Sequence, residues 1–278
     1  MLGLWLTLTA SAWGGVTFPV RHSYINGFSS VFRLGESLCE ILPPKFGEQL
    51  NPRAVTVLRD ERPIITPVTE TNDGCILGEV AVSDGMIDFL NHVAHAKAVD
   101  MFYDGYFKEY LKSMTNVLGD HPTFPEIDEE RYWAEPVSSL QMSYFNQMIG
   151  FLMAMNLSHH YLGHYMKYAE RITSLDKIPE PINRSLTSEE WETSVRAGAV
   201  NACGCALLST GARALFEALN RLPERPEWAA YLAPPKISLR RLNRELASYE
   251  FDFFHASQRD SRDRWLHAGT MTPRDFGY

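Results

Sequence analysis

Residues 136–166 contain no Asp, Glu, Lys or Arg. A run of that length without a formal charge must leave water, either into a membrane or into a protein core. Its polar members decide between the two. Gln141, Asn146, Gln147, Asn156 and Ser158 interrupt the run, and His159, His160 and His164 close it. Each would be stranded in hydrocarbon. The expectation is a long helix buried in a protein core, with no integral membrane span.

The sequence around that helix predicts a mainly α-helical α+β fold. Residues 54–60, 64–70 and 75–83 have strand character. Turn residues at 60–63 and 71–74 separate them, which predicts one small antiparallel sheet near the N-terminus. A helix over 32–42 precedes the sheet. Asp84-Gly85 opens another helix, expected to continue to residue 114, and residues 115–137 read as a loop-rich insertion. Thr187 and Glu190 have capping-box spacing, which starts a helix at Ser188 that is expected to stop at Gly211. Two further helices follow, the last charged and amphipathic.

A net charge of −8 argues against a nucleic-acid partner, and no basic stretch with interleaved aromatics is present. Residues 2–10 form a short apolar core ahead of Ala10-Ser11-Ala12, a small-x-small cleavage pattern, although no Lys or Arg precedes it. Residues 1–12 are therefore expected to be a signal peptide. Residues 13–278 then form a single domain, exported to a periplasm or secreted. Export permits disulfides, but the 4 cysteines are too few for a disulfide scaffold. Cys203 and Cys205 read as two thiols on one helix.

The segment "HHYLGHY" holds the chemistry. On a continuous helix His160 and His164 are i and i+4, so both imidazoles leave one face. Two nitrogens so placed can take two positions of a tetrahedral zinc ion. Core hydrogen bonds to backbone or carboxylates are the other way to satisfy them. "NHVAHAK" places His92 and His95 one turn apart on an earlier helix, from which they could join His159, His160 or His164.

"HHYLGHY" resembles the HExxH-type helix of the gluzincin zinc metallopeptidases. It is most similar to soluble, exported relatives of the CaaX-prenyl endopeptidase and HtpX group. "GEVAVSDGMIDFL" is similar to their edge strand and the turn that follows it, and "VNACGCALLSTG" to a later helix, in the same order. The resemblance implies a zincin-like helical core, a zinc cofactor, and hydrolysis of a peptide or protein substrate. Three departures stand against activity. Tyr161 occupies the place of the catalytic glutamate, and a phenol with a pKa near 10 is no base at neutral pH. Ala197 falls at the third-ligand glutamate. A long insertion separates the edge-strand helix from the histidine helix.

The expected site is therefore a metal on His160 and His164, completed by Glu192 or its neighbour Glu189. Tyr161 would serve as a hydrogen-bond donor to an oxyanion. The alternative is a catalytically inactive zincin-like binding or scaffold protein with structural histidines. No Gly-x-Ser-x-Gly, phosphate-binding or dinucleotide motif competes.

Overall fold

The uncharged run is the central helix of the computed structural model, which describes residues 26–72, 75–172, 179–234 and 238–266. The expected signal peptide lies outside these residues. The fold is α+β and mainly helical, with one small sheet. Helices α1 (Asn26–Glu40) and α2 (Pro44–Gly47) precede strands β1 (Leu50–Leu58), β2 (Ile65–Asn72) and β3 (Cys75–Ser83). Then come α3 (Asp84–Asp100), α4 (Tyr106–Ser113), α5 (Glu135–Tyr161), α6 (His164–Ile172), α7 (Ser188–Gly204), α8 (Ser209–Arg221) and α9 (Leu239–Leu266).

The sheet corrects one expectation: it is mixed, not antiparallel. Its order is β1-β3-β2, with β1 parallel to β3 and β2 antiparallel to it. The apolar "VAVS" end of β3 takes the centre, where both faces are covered. Ser83 ends β3 and caps α3. Its Oγ accepts from Met86 N (3.0 Å) and Ile64 N (2.8 Å) and donates to the Arg62 carbonyl (2.6 Å). The next two residues complete the corner, with Asp84 pairing with Arg59 at 2.9 Å and Gly85 lying where a Cβ would strike the Glu61 backbone.

Helix α5 carries Pro136 in its first turn, where a missing N–H costs nothing. It packs against α1, α3, α7, α8 and the sheet. Among the described residues no helix is long and apolar enough to cross a membrane. Phe145, Met148, Ile149, Leu152, Met153 and Leu157 are fully buried. Each contributes roughly 1.5–3 kcal/mol of hydrophobic stabilisation. Two glycines set the helix spacing. A Cβ on Gly198 of α7 would meet the Met155 backbone, and one on Gly211 of α8 would meet Tyr144 and Gln147.

Helices expected to be continuous are broken. The α3 helix ends at Asp100, and α4 begins after Gly105 at φ +83°. The uncharged run breaks at Gly163, φ +77°, a conformation that costs glycine little and other residues more. Helix α7 ends at Gly204 rather than Gly211, which lies inside α8. The capping box at Thr187 and Glu190 forms as expected. Residues 114–134 contain only a 3-10 turn at Glu130–Trp133.

Candidate functional site

The break at Gly163 decides where the histidines go. Leu162 N still bonds the Ser158 carbonyl (2.9 Å) and Gly163 N bonds the His160 carbonyl (3.0 Å), which closes α5. His164 then opens α6 as a separate helix, so the unbroken i, i+4 face predicted for His160 and His164 is not formed. His164 turns instead to His159, with 3.2 Å between their Nδ1 atoms.

His160 takes a different post. Its Nε2 donates to the Glu79 carbonyl at 2.9 Å. Glu79 sits where the β1–β3 register jumps from Leu50/Gly78 to Val55/Val80, so a side-chain donor meets the strand there. The ring lies over Gly78, where any Cβ would overlap it, and against the Tyr165 ring at 4.8 Å. Burial pushes the His160 pKa down to about 4, against the pull of the Glu79 carbonyl. The ring is therefore neutral at pH 7.

Neither of the other two expected site residues joins these histidines. Tyr161 stacks on Phe46 of α2 at 4.6 Å. Glu192 is half-exposed and pairs with Arg241 of α9 at 3.0 Å. Glu189 is exposed in the first turn of α7. His92 and His95 lie on α3, engaged with Tyr110 OH (2.8 Å) and the Tyr132 carbonyl (2.7 Å).

Ser194 is the residue of α7 that reaches the centre. Its Oγ is 3.1 Å from His159 Nδ1 and 3.1 Å from His164 Nδ1, and it donates to the Glu190 carbonyl at 2.9 Å. The position follows from helix geometry. Gly198 lets α7 touch α5 at Met155. One turn back on α7 and one turn forward on α5 then face each other as Ser194 and His159. Ser194, Gly198 and Ala202 form a small-residue stripe at four-residue spacing, and that stripe was the signal in the sequence.

Hydrogen accounting gives this cluster a closed form. The Ser194 hydroxyl has one hydrogen and two lone pairs. The hydrogen goes to the Glu190 carbonyl, which can only accept. The hydroxyl's lone pairs then face the two imidazole Nδ1 atoms, which also lie within hydrogen-bond reach of each other at 3.2 Å. His159 Nε2 is left as a buried atom without a hydrogen-bond partner. Burial, then His164 and His160, push the His159 pKa well down. Burial also lowers that of His164. The pair is neutral.

The acid that faces these histidines electrostatically is Glu190. Burial would raise its pKa. Lys167, the Thr187 backbone N–H, Tyr168 and the Thr187 hydroxyl outweigh that and pull it down to about 2. The cysteine thiols are unpaired. Burial pushes Cys39, Cys203 and Cys205 up to about 11, which keeps them protonated. Among the described residues no group of three or more His, Cys, Asp or Glu side chains is arranged to hold a metal ion. The set expected from the sequence, His160, His164 and Glu192, is not brought together: His160 is held by the Glu79 carbonyl, His164 by His159 and Ser194, and Glu192 by Arg241. No family model, curated protein or solved structure matches the chain.

Proposed function

We propose that this chain is a catalytically inactive relative of the zinc metallopeptidases, a binding or scaffold protein whose histidines are structural. The observation that carries this reading is His160. Its Nε2–H holds the end of the central helix to the sheet, and its ring is closed over by Gly78 and Tyr165. Two further features support it. Position 161 offers a phenol stacked on Phe46 in place of a base. Glu190 is too acidic, at about 2, to take a proton efficiently near neutral pH. The partner class that the resemblance implies is a peptide or protein segment, bound rather than cut.

One observation favours a second reading, in which a zinc ion sits on His159, His164 and Ser194. The three atoms are 3.1–3.2 Å apart. Ligands at 2.0–2.1 Å in a tetrahedron lie about 3.3 Å apart. Metal on Nδ1 would force the proton of His159 to Nε2, which has no acceptor. That cost places this reading second.

The deciding experiment measures the metal content of the purified full chain by mass spectrometry, beside hydrolysis of a mixed peptide library with and without chelator. The expected result is no stoichiometric zinc and no chelator-sensitive cleavage, before and after zinc is supplied. Stoichiometric zinc lost in His164→Ala but kept in His160→Gln would establish the second reading. Chelator-sensitive hydrolysis would overturn the proposal outright.

A further inference from the structure

Helix α3 is almost wholly buried, yet it carries Asp88, Asn91, His92 and His95. Asn91 is explained by Gln141 of α5, whose Nε2 donates to its Oδ1 at 2.7 Å. His92 and His95 face α4 and the 114–134 segment, and they fasten that segment to the core. His95 Nε2 meets the Tyr132 carbonyl at 2.7 Å. His92 Nδ1 is 2.8 Å from Tyr110 OH, which donates to the Pro125 carbonyl at 2.7 Å. On its other side His92 Nε2 is 3.5 Å from Asp88 Oδ1, one turn away on the same helix. Phe124, beside Pro125, packs on the His92 and Phe89 rings at 5.5 Å.

The direction of every bond in this chain is fixed from its far end. A carbonyl only accepts, so Tyr110 gives its hydrogen to Pro125. The phenol oxygen then accepts, so His92 Nδ1 must carry a proton. A neutral imidazole leaves a lone pair on Nε2. That lone pair faces Asp88 Oδ1, a buried oxygen without a hydrogen-bond partner. An ionised Asp88 would set negative charge against a lone pair. A protonated Asp88 would donate to it once the 3.5 Å separation closes.

We propose that Asp88, His92 and Tyr110 form a proton-operated latch, which holds the Pro125 region against α3 while Asp88 is protonated and releases it when Asp88 ionises. The released state is the same chain of bonds with its polarity reversed. The Asp88 proton passes to His92 Nε2, and the Nδ1 proton leaves to solvent. The Tyr110 hydroxyl then turns from the Pro125 carbonyl to donate to the bared Nδ1. One proton is lost in all, and Pro125 loses its donor. The contacts on either side do not depend on it. Trp228 Nε1 still donates to the Val117 carbonyl (2.7 Å) and Trp133 Nε1 to the Ile127 carbonyl (2.6 Å). The opening is therefore confined to the stretch between these two anchors.

The surroundings place the transition near neutrality. Burial pushes Asp88 up to about 7. Burial, then His95, push His92 down to about 3, so the imidazole does not become the cation that would hold Asp88 ionised. Other titratable groups lie near the latch, among them His95, Tyr106 and the acids Glu129 and Asp128 that act on Tyr106. His95 on α3 is tied to Tyr132. Tyr106, stacked on Tyr110 at 6.1 Å, is pushed up to about 12 by burial, then by Tyr132, Glu129 and Asp128. Asp88 is also within reach of water, its side chain being 22% exposed, so its proton has an exit.

Hydrogen–deuterium exchange on the full chain tests the latch, with amide protection over residues 118–126 compared at pH 6 and pH 8 after correction for intrinsic rates. Protection should fall on the order of tenfold across that interval. Asp88→Asn, which keeps a neutral donor towards Nε2, should stay protected at both values. Tyr110→Phe should be unprotected at both. The 15N shifts of His92 give a reading that simple destabilisation would not move, with Nε2 passing from bare to protonated as pH rises in the native chain and staying bare in Asp88→Asn. Equal protection at the two pH values, or a pH-dependent loss that survives in Asp88→Asn, would overturn the proposal.

Discussion

His160 and Gly78 are cut to fit each other. The imidazole occupies the space a side chain at position 78 would need, and its one N–H satisfies the Glu79 carbonyl at a flaw in the strand register. Gly78→Ala should cost about 1–3 kcal/mol by overpacking. His160→Ala should cost about 2–5 kcal/mol through the cavity and the abandoned carbonyl. The two costs should not add. Removing the ring clears the space that the new methyl needs, so the double variant should be more stable than the sum predicts. Urea denaturation of the four proteins checks this, and strict additivity would mean that the ring does not rest on residue 78. At this scale the sequence shows that the histidines matter but not what each touches. A fixed spacing of four identifies a pair only on an unbroken helix. In the sequence Gly163 is one more small residue in an apolar run, and spacing alone pairs His164 with His160 rather than with His159. Ser194 carries no charge and no metal-ligand signature, and only its place in a small-residue stripe marked it.

Between elements, the contact that assembles the histidine cluster lies one turn away from it. Gly198 allows α7 to rest on the backbone of α5, and Ser194, one turn earlier on the same face, inherits that closeness. Gly198→Ala puts a methyl against Met155 and must push the helices apart. The expected loss is about 1–3 kcal/mol in urea denaturation. The His159 and His164 ring nitrogens should also lose their shared contact with Ser194, read as a change in their 15N shifts. A destabilised variant with unchanged ring shifts would show that Ser194 reaches the pair without help from that glycine. Features written in short-range chemistry were legible beforehand: the Thr187–Glu190 capping box, the step from β3 into α3, and the buried central helix. The mixed sheet was not, because strand order is settled by which strand is apolar on both faces once the helices have packed. The breaks at Gly105 and Gly163 are hidden for a related reason. A glycine in a helical pattern is tolerated or terminates the helix according to tertiary contacts that periodicity does not contain.

Across the whole molecule, two electrostatic effects compete as pH falls from neutrality. The chain carries a net charge of −8, and protonation towards its pI of about 5.6 relieves self-repulsion, which favours the folded state. Against this stand the neutral histidines. Burial holds His92 at about 3 and His160 at about 4, and it lowers His159 and His164 as well. In the unfolded chain each would take up a proton near 6.5. Their contribution is therefore complete above that value and is lost as pH falls towards the folded-state values. Asp88 works in the opposite direction. Raised to about 7, it stabilises the fold below its unfolded value of about 4, and that contribution is lost as pH rises through 7. Four buried imidazoles should outweigh both the single acid and the relief of surface repulsion, which salt screens. Urea unfolding between pH 7 and pH 5 should thus show falling stability, with a slope corresponding to uptake of about two or more protons on unfolding. The slope should hardly change with added salt, because the groups that set it are inside. Stability that rises on acidification and flattens in high salt would show that surface charge governs this fold and that the histidines titrate as exposed groups do.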